Sequence, residues 1–133
     1  MHHHTPDTIR APFARYSHGV EVPAGHRILF VSGQLSITTD DIIPEGVEAQ
    51  TELCFANIAA VLASANMGLS HIVRINAYVT DRAHLPGYMA VRDRTFGSPP
   101  PASTLMIVCG FAREAFKVEI EAVAAAPVAH QSD

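Results

Sequence analysis

The sequence predicts an α+β domain in which two helices cover one face of a mainly antiparallel sheet, with the element order β-β-α-β-α-β-β. Two observations predict this class. Apolar residues recur every three or four positions from 47 to 67, as they do in a helix. By contrast, segments 71–80 and 116–124 alternate apolar and polar residues, as strands do. Helices packed on one face of such a sheet form a common α+β arrangement.

The first half of the chain is predicted to hold two strands and the long helix. The strands are expected at 16–22 and 27–32, on either side of the turn Pro23-Ala24-Gly25. The helix is expected to run from about 47 to 67, because Gly68 follows at the position where glycine commonly ends a helix.

The second half alternates strand and helix patterns. After the strand at 71–80, a helix is predicted at 85–96, where Pro86 is tolerated only in the first turn. The residues that share one face of the helix at 85–96 are Leu85, Met89, Arg92 and Phe96. The last two strands are predicted at 102–109 and 116–124.

The composition indicates a single domain that hides part of its surface in an oligomer. Of the 133 residues, 48 % are hydrophobic and 17 % are charged, whereas soluble domains have about 25 % charged residues. The net charge is −4, the isoelectric point is near 6.0 and Lys117 is the single lysine. Nucleic-acid binding needs clustered basic residues, so no nucleic-acid partner is expected.

The cysteine content and the lack of a long apolar run predict the location of the protein in the cell. Cys54 and Cys109 are too few for a zinc site or a disulfide framework, so we expect free thiols, no metal and a cytoplasmic protein. No apolar run approaches the ~18 residues that span a bilayer. Residues 2–8 and 127–133 are expected to be frayed around an ordered core of about 9–126. Residues 2–4 are histidines that belong to a purification tag or bind metal adventitiously.

One sheet face mixes polar and apolar residues, which suits a surface buried between subunits around polar clefts. On this face Glu119 is either a solvated, ion-paired carboxylate or a functional one. Glu121 is interpreted as structural, paired with Arg74 or Lys117. The residues of this face are Ile72, Arg74, Asn76, Tyr78, Lys117, Glu119 and Glu121.

Seven segments in order resemble the Rid family (reactive intermediate deaminase, also called YjgF or endoribonuclease L-PSP). They are Ala11-Pro12 with Tyr16-Ser-His-Gly-Val20, Phe30-Val-Ser-Gly-Gln34, Ala49-Gln50-Thr51, Asn57-Ile58, Tyr78-Val-Thr-Asp81, Pro101-Ala102 and Val118-Glu-Ile-Glu-Ala-Val-Ala124. The resemblance implies a YjgF/chorismate mutase-like fold that forms a barrel-like homotrimer with ligand clefts between subunits.

The resemblance also implies a function, namely hydrolysis of reactive enamines or imines to 2-oxo acids and ammonia without a cofactor. The family holds the substrate carboxylate with an Arg that follows Pro-Ala, and Ser103 stands at that position here. The substrate is therefore expected to differ, for example an aromatic-derived enamine such as 2-aminomuconate. The alternative is a ligand-binding or regulatory trimer without catalysis.

Five positions carry over from the family's motifs, Ser103 by position only, and with Met89 they make a predicted site of six residues. Glu119 is the candidate catalytic residue, which positions or activates water. The candidate substrate-binding residues are Tyr16, Ser32, Gly33, Met89 and Ser103, with Met89 standing where the family has a cleft Asn. The ligand is expected to be a small molecule, most simply a carboxylate. Cys109 is interpreted as a small buried residue.

Overall fold

Two sheets and two α-helices make up residues 1–128, which are the residues described by the computed structural model. The strands are β1 (His2–His4), β2 (Gly19–Glu21), β3 (His26–Leu35), β4 (Ile72–Val79), β5 (Ala102–Ile107) and β6 (Val118–Pro127), and the helices are α1 (Val47–Ser64) and α2 (Leu85–Thr95). Within this range, neither helix has the combination of length and apolar character needed to cross a bilayer.

The main sheet has four strands in the order β3-β6-β4-β5. β6 pairs antiparallel with β3 and β4, while β4 and β5 are parallel. Alternate residues of β4 are fully buried in one core with α1, whose Cys54, Ile58 and Leu62 are also fully buried. The predicted α+β class, with two helices on a mainly antiparallel sheet, is confirmed.

The first predicted strand pairs differently from the hairpin expected around Pro23-Ala24-Gly25. β2 pairs antiparallel with β1, in a separate two-stranded sheet. The reason is that Ser17 forms a bridge with Ala102 at the start of β5, and its N–H donates to the Pro101 carbonyl at 3.1 Å. β5 and β3 lie at opposite edges of the main sheet, so a segment held at β5 cannot reach β3.

The expectation of frayed ends is wrong for the front of the chain. Residues 2–4 form β1, and His3 Nδ1 lies 2.9 Å from Ser17 Oγ within hydrogen-bonding range. At the other end β6 extends through Pro127, and residues 129–133 lie outside the described residues.

α1 ends three residues earlier than predicted, at Ser64. Asn66 has a φ of +56°, in the left-handed region where helices commonly terminate. Asn tolerates this conformation better than other residues with a side chain. Gly68 has a φ of −131° and instead precedes a 3-10 turn at Leu69–His71, so Asn66 rather than Gly68 ends the helix.

Gln50 is a polar residue of α1 that is fully buried. Its Nε2 donates to the carbonyls of Pro44 and Ala115, both at 2.9 Å, and its Oε1 accepts from the Lys117 N–H at 2.8 Å. A buried amide needs such partners to offset the loss of hydration. Gln50 thereby fixes the chain that leads into β6.

Candidate functional site

The face of the main sheet that points away from the helices, called the outer face, carries both polar and apolar side chains, as predicted. Ile72, which was predicted to lie on this face, is instead buried in the core, because the β4–β6 pairing shifts between Ile72 and Arg74. The half-buried polar residues on it are Arg74, Asn76, Tyr78, Glu119 and Glu121. Beside them Ile28, Phe30 and Met106 have exposed fractions of 54 %, 77 % and 53 %. Ile28 and Phe30 form an exposed apolar patch on β3, of a kind typical of an interaction surface, and Met106 lies at the opposite edge of the sheet on β5.

Ser32, Gly33 and Glu119, called the outer-face group, come together where β3 meets β6. The pairing of these strands shifts between Val31 and Gln34, which makes room for an irregular Ser32-Gly33 step. A Cβ placed on Gly33 would lie 2.8 Å from Glu119 Cδ and 3.1 Å from its Cγ. Glycine at 33 therefore allows the Glu119 carboxylate to lie directly against the β3 backbone.

Glu121 has different partners from those predicted. Its Oε1 accepts hydrogen bonds from Asn76 Nδ2 at 3.0 Å and from the Tyr78 hydroxyl at 2.8 Å. Arg74 Nη2 instead donates to Thr104 Oγ1 at 2.7 Å, so the predicted pairing with Arg74 or Lys117 is wrong. The reason is the register, which places Asn76 directly opposite Glu121 on the same face.

The Glu121 cluster borders an open cavity of about 360 Å³ that also includes Ser32. The hydrogen bond to Glu121 raises the pKa of Tyr78, with a smaller contribution from desolvation. Tyr78 is therefore a hydrogen-bond donor at neutral pH. Sequence reasoning named Asn76 and Tyr78 as residues of this face but did not connect them to Glu121.

Tyr16, Met89 and Ser103 line a second cavity of about 300 Å³, called the Ser103 pocket. The three residues come from the loop before β2, from α2 and from β5. The Tyr16 hydroxyl accepts a hydrogen bond from the Phe13 N–H at 3.3 Å. Ser103 Oγ is buried and has no hydrogen-bond partner within the described part of the chain.

Arg92 also lines the Ser103 pocket, although sequence reasoning did not include it among the site residues. It is only 4 % exposed. Its Nε and Nη2 donate to Asp93 Oδ1 at 3.1 and 3.0 Å. A signal for it existed, since the helical pattern placed Arg92 on the same face of α2 as Met89.

The six predicted residues fall into two places in a single chain, because no residue lines both the Ser32 cavity and the Ser103 pocket. A larger cavity of about 500 Å³ beside His3 and His26 contains none of the six. The outer-face group and the Ser103 pocket thus lie in two separate places in one chain.

The cysteines and histidines of residues 1–128 do not form a metal-binding cluster. No group of three or more His, Cys, Asp or Glu side chains there is arranged to hold a metal ion. Burial raises the pKa of Cys54 to about 12, and its thiol donates to the Gln34 carbonyl at 3.2 Å. Cys109 is exposed, so the interpretation of it as a buried residue is wrong.

Comparisons with known proteins agree on one family. The family model described as endoribonuclease L-PSP matches residues 8–126. Protein DfrA of Myxococcus xanthus is 36 % identical over 111 residues, covering 82 % of this chain and 83 % of DfrA. A 2-iminobutanoate/2-iminopropanoate deaminase of Dermatophagoides farinae is 26 % identical over 114 residues, covering 84 % and 86 % of the two chains.

Solved structures show the same fold. The structure of YyfB from Yersinia pestis, titled as a protein of unknown function of the conserved Rid family, superposes with a TM-score of 0.80. It is 27 % identical in sequence, and the match covers 94 % of this chain and 98 % of that one. From the family match, the relatives and the fold together, the chain belongs to the endoribonuclease L-PSP family, also known as the Rid or YjgF family.

Proposed function

We propose that the protein is a Rid-type hydrolase that converts an imine or enamine to a carbonyl compound and ammonia. The observation that carries this proposal is the Glu119 carboxylate lying against the Ser32-Gly33 step of β3. A carboxylate beside an accessible backbone can hold water next to a bound substrate. The Dermatophagoides relative named as an imine deaminase supports the same reaction class.

The reaction needs only water and a proton carrier. An enamine first tautomerises to the imine, and water then adds to the carbon of the C=N bond. Glu119 accepts a proton from this water as the C–O bond forms, and it returns the proton to nitrogen. The carbinolamine hydroxyl then gives its proton to nitrogen through the Glu119 carboxylate as the C–N bond breaks, so ammonia leaves and the carbonyl remains. The backbone at Ser32 and Gly33 holds a substrate oxygen.

We further propose that the working site lies between subunits of a homotrimer. Two observations support this arrangement. The outer face exposes Ile28, Phe30 and Met106, and the six predicted site residues lie in two separate places in one chain. Association through the outer face would hide the apolar patch and allow the outer-face group of one subunit to meet the Ser103 pocket of the next. Sedimentation equilibrium measures the subunit number directly.

The decisive experiment follows ammonia release from imines generated in situ and from 2-aminomuconate-like enamines. Loss of a general base typically lowers the rate about 10²- to 10⁴-fold, so Glu119→Gln is expected to fall within that range. Glu45→Gln removes the same charge from an exposed loop position and is expected to keep wild-type activity. Equal rates for wild type and Glu119→Gln on every substrate would refute the mechanism.

A second candidate is a ligand-binding or regulatory trimer without catalysis. It is favoured by Ser103 and Met89, which replace the Arg and Asn that the family places in its cleft. Thermal-shift measurements against 2-oxo acids, aromatic acids and short carboxylates distinguish the two candidates. Binding without ammonia release supports the second candidate, whereas turnover of any substrate excludes it.

A further inference from the structure

One edge of the Arg92 guanidinium donates hydrogen bonds to a carboxylate, and the other edge has no acceptor among the described residues. Nε and Nη2 both donate to Asp93 Oδ1, although neighbouring residues on a helix do not normally face each other. Its Nη1 donates to no acceptor within residues 1–128, and Arg92 borders the Ser103 pocket. The Asp93 side chain is 45 % exposed and that of Arg92 only 5 %. Water therefore screens the carboxylate more than the guanidinium.

Two hydroxyl groups beside Arg92 also have no acceptor. The Tyr88 hydroxyl and Ser103 Oγ are both buried without a hydrogen-bond partner in the described chain. Arg92 Cζ lies 5.7 Å from the centre of the Tyr88 ring. Arg92 and Ser103 both line the Ser103 pocket, and burial raises the pKa of Tyr88 to about 12. Tyr88 is thus a neutral donor at physiological pH.

We propose that Arg92 is the anion-binding residue of the Ser103 pocket, and that the ligand of this pocket is a small monocarboxylate. The inference rests on the proposed function, because it names the substrate class for the same site. One carboxylate oxygen accepts from Arg92 Nη1 and the hydroxyl of Ser103 rotates to donate to the ligand. The guanidinium thus comes from α2 rather than from β5.

The rest of the pocket favours a monocarboxylate over a phosphate ester. Among the described residues, Arg92 is the single cation lining the pocket and already shares its charge with Asp93, so a dianion would lack a second positive partner. Apolar side chains from Phe13, Met89 and Leu105 line the remainder of the roughly 300 Å³. They suit the carbon skeleton of a small acid.

The test measures dissociation constants by calorimetry for two acids and their neutral amides: 2-oxobutanoate with 2-oxobutanamide, and benzoate with benzamide. Wild type is expected to bind at least one acid about 10- to 100-fold more tightly than its amide, the range for a charge-assisted hydrogen bond. Arg92→Gln is expected to lose this preference while its affinity for the amide stays unchanged. Arg94→Gln removes the same charge from an exposed position on α2 and is expected to bind as wild type does.

Three results would overturn the inference. Wild type binds neither acid better than its amide, wild type binds no probe at millimolar concentration, or folded Arg92→Gln keeps the full preference. The wild-type comparison needs no variant, and Arg92→Lys, which keeps the charge, supplies a second test if Arg92→Gln does not fold. The proposed function fails separately: a protein that releases no ammonia but prefers acids through Arg92 keeps this inference and loses the hydrolase.

Discussion

The outer-face group and the Ser103 pocket differ in what positions their residues. Glu119 and Ser32-Gly33 lie on paired strands, and the β3–β6 register alone brings them into contact. The Ser103 pocket instead needs a loop, α2 and β5 to meet. A strand register is specified by the alternation of side chains, whereas the meeting of three elements depends on packing over the whole domain. The outer-face group is therefore easier to predict from the sequence than the Ser103 pocket is.

Among the variants that test this difference, Gly33→Ala is expected to have the largest effect on activity. The new methyl group would overlap the Glu119 side chain, with Cδ at 2.8 Å. Glu119 is flexible, so it moves aside at little loss of stability, but its carboxylate leaves the β3 backbone. Ammonia release is expected to fall about 100-fold, near the lower limit for losing a positioned base. The midpoint of thermal unfolding is expected to change little.

The matched control for Gly33→Ala is Gly110→Ala. A Cβ at Gly110 meets nothing within 4 Å, so this variant tests the loss of glycine without a clash. Wild-type activity is expected. If Gly33→Ala also retained full activity, contact between the β3 backbone and Glu119 would have no role in the reaction.

A smaller effect is expected from moving the arginine of the Ser103 pocket. In an Arg92→Gln background, Ser103→Arg returns a guanidinium to the pocket from β5. This double variant is expected to recover about 10-fold in carboxylate affinity over Arg92→Gln, the lower value for a charge-assisted hydrogen bond. Ser103→Arg alone is expected to gain less, because Arg92 already occupies the pocket and repels a second cation. Calorimetry with benzoate measures the affinity of both variants. An equal gain in affinity from Ser103→Arg in the wild-type and Arg92→Gln backgrounds would contradict the expected repulsion between the two arginines.

Particular residues show how far sequence reasoning reaches. The alternation at β4 and β6 predicted the outer face, and the helical pattern predicted α1 and α2, because each depends on local periodicity. The pairing of β2 and the burial of Gln50 were missed, since both are decided by contacts between distant segments. Arg92 was placed on the correct helix face, but its proximity to Ser103 depends on how α2 packs against β5. The functional roles of the six site residues stay predictions.

The smallest effect expected at neutral pH is that of Tyr88→Phe, which tests the buried hydroxyl of Tyr88 next to Arg92. Removing a buried hydroxyl without a partner changes the free energy of unfolding by about 1 kcal/mol or less. At high pH the two proteins diverge. Burial raises the pKa of Tyr88 from 10.0 to about 12, so between these values the unfolded chain ionises Tyr88 and the folded chain does not. Wild type is therefore expected to lose about 1.4 kcal/mol of stability per pH unit in this window from Tyr88. Tyr88→Phe lacks this loss, while the buried Cys54 contributes equally to both proteins. Urea unfolding across the window measures the difference, and a difference that stays constant with pH would show that Tyr88 is not desolvated.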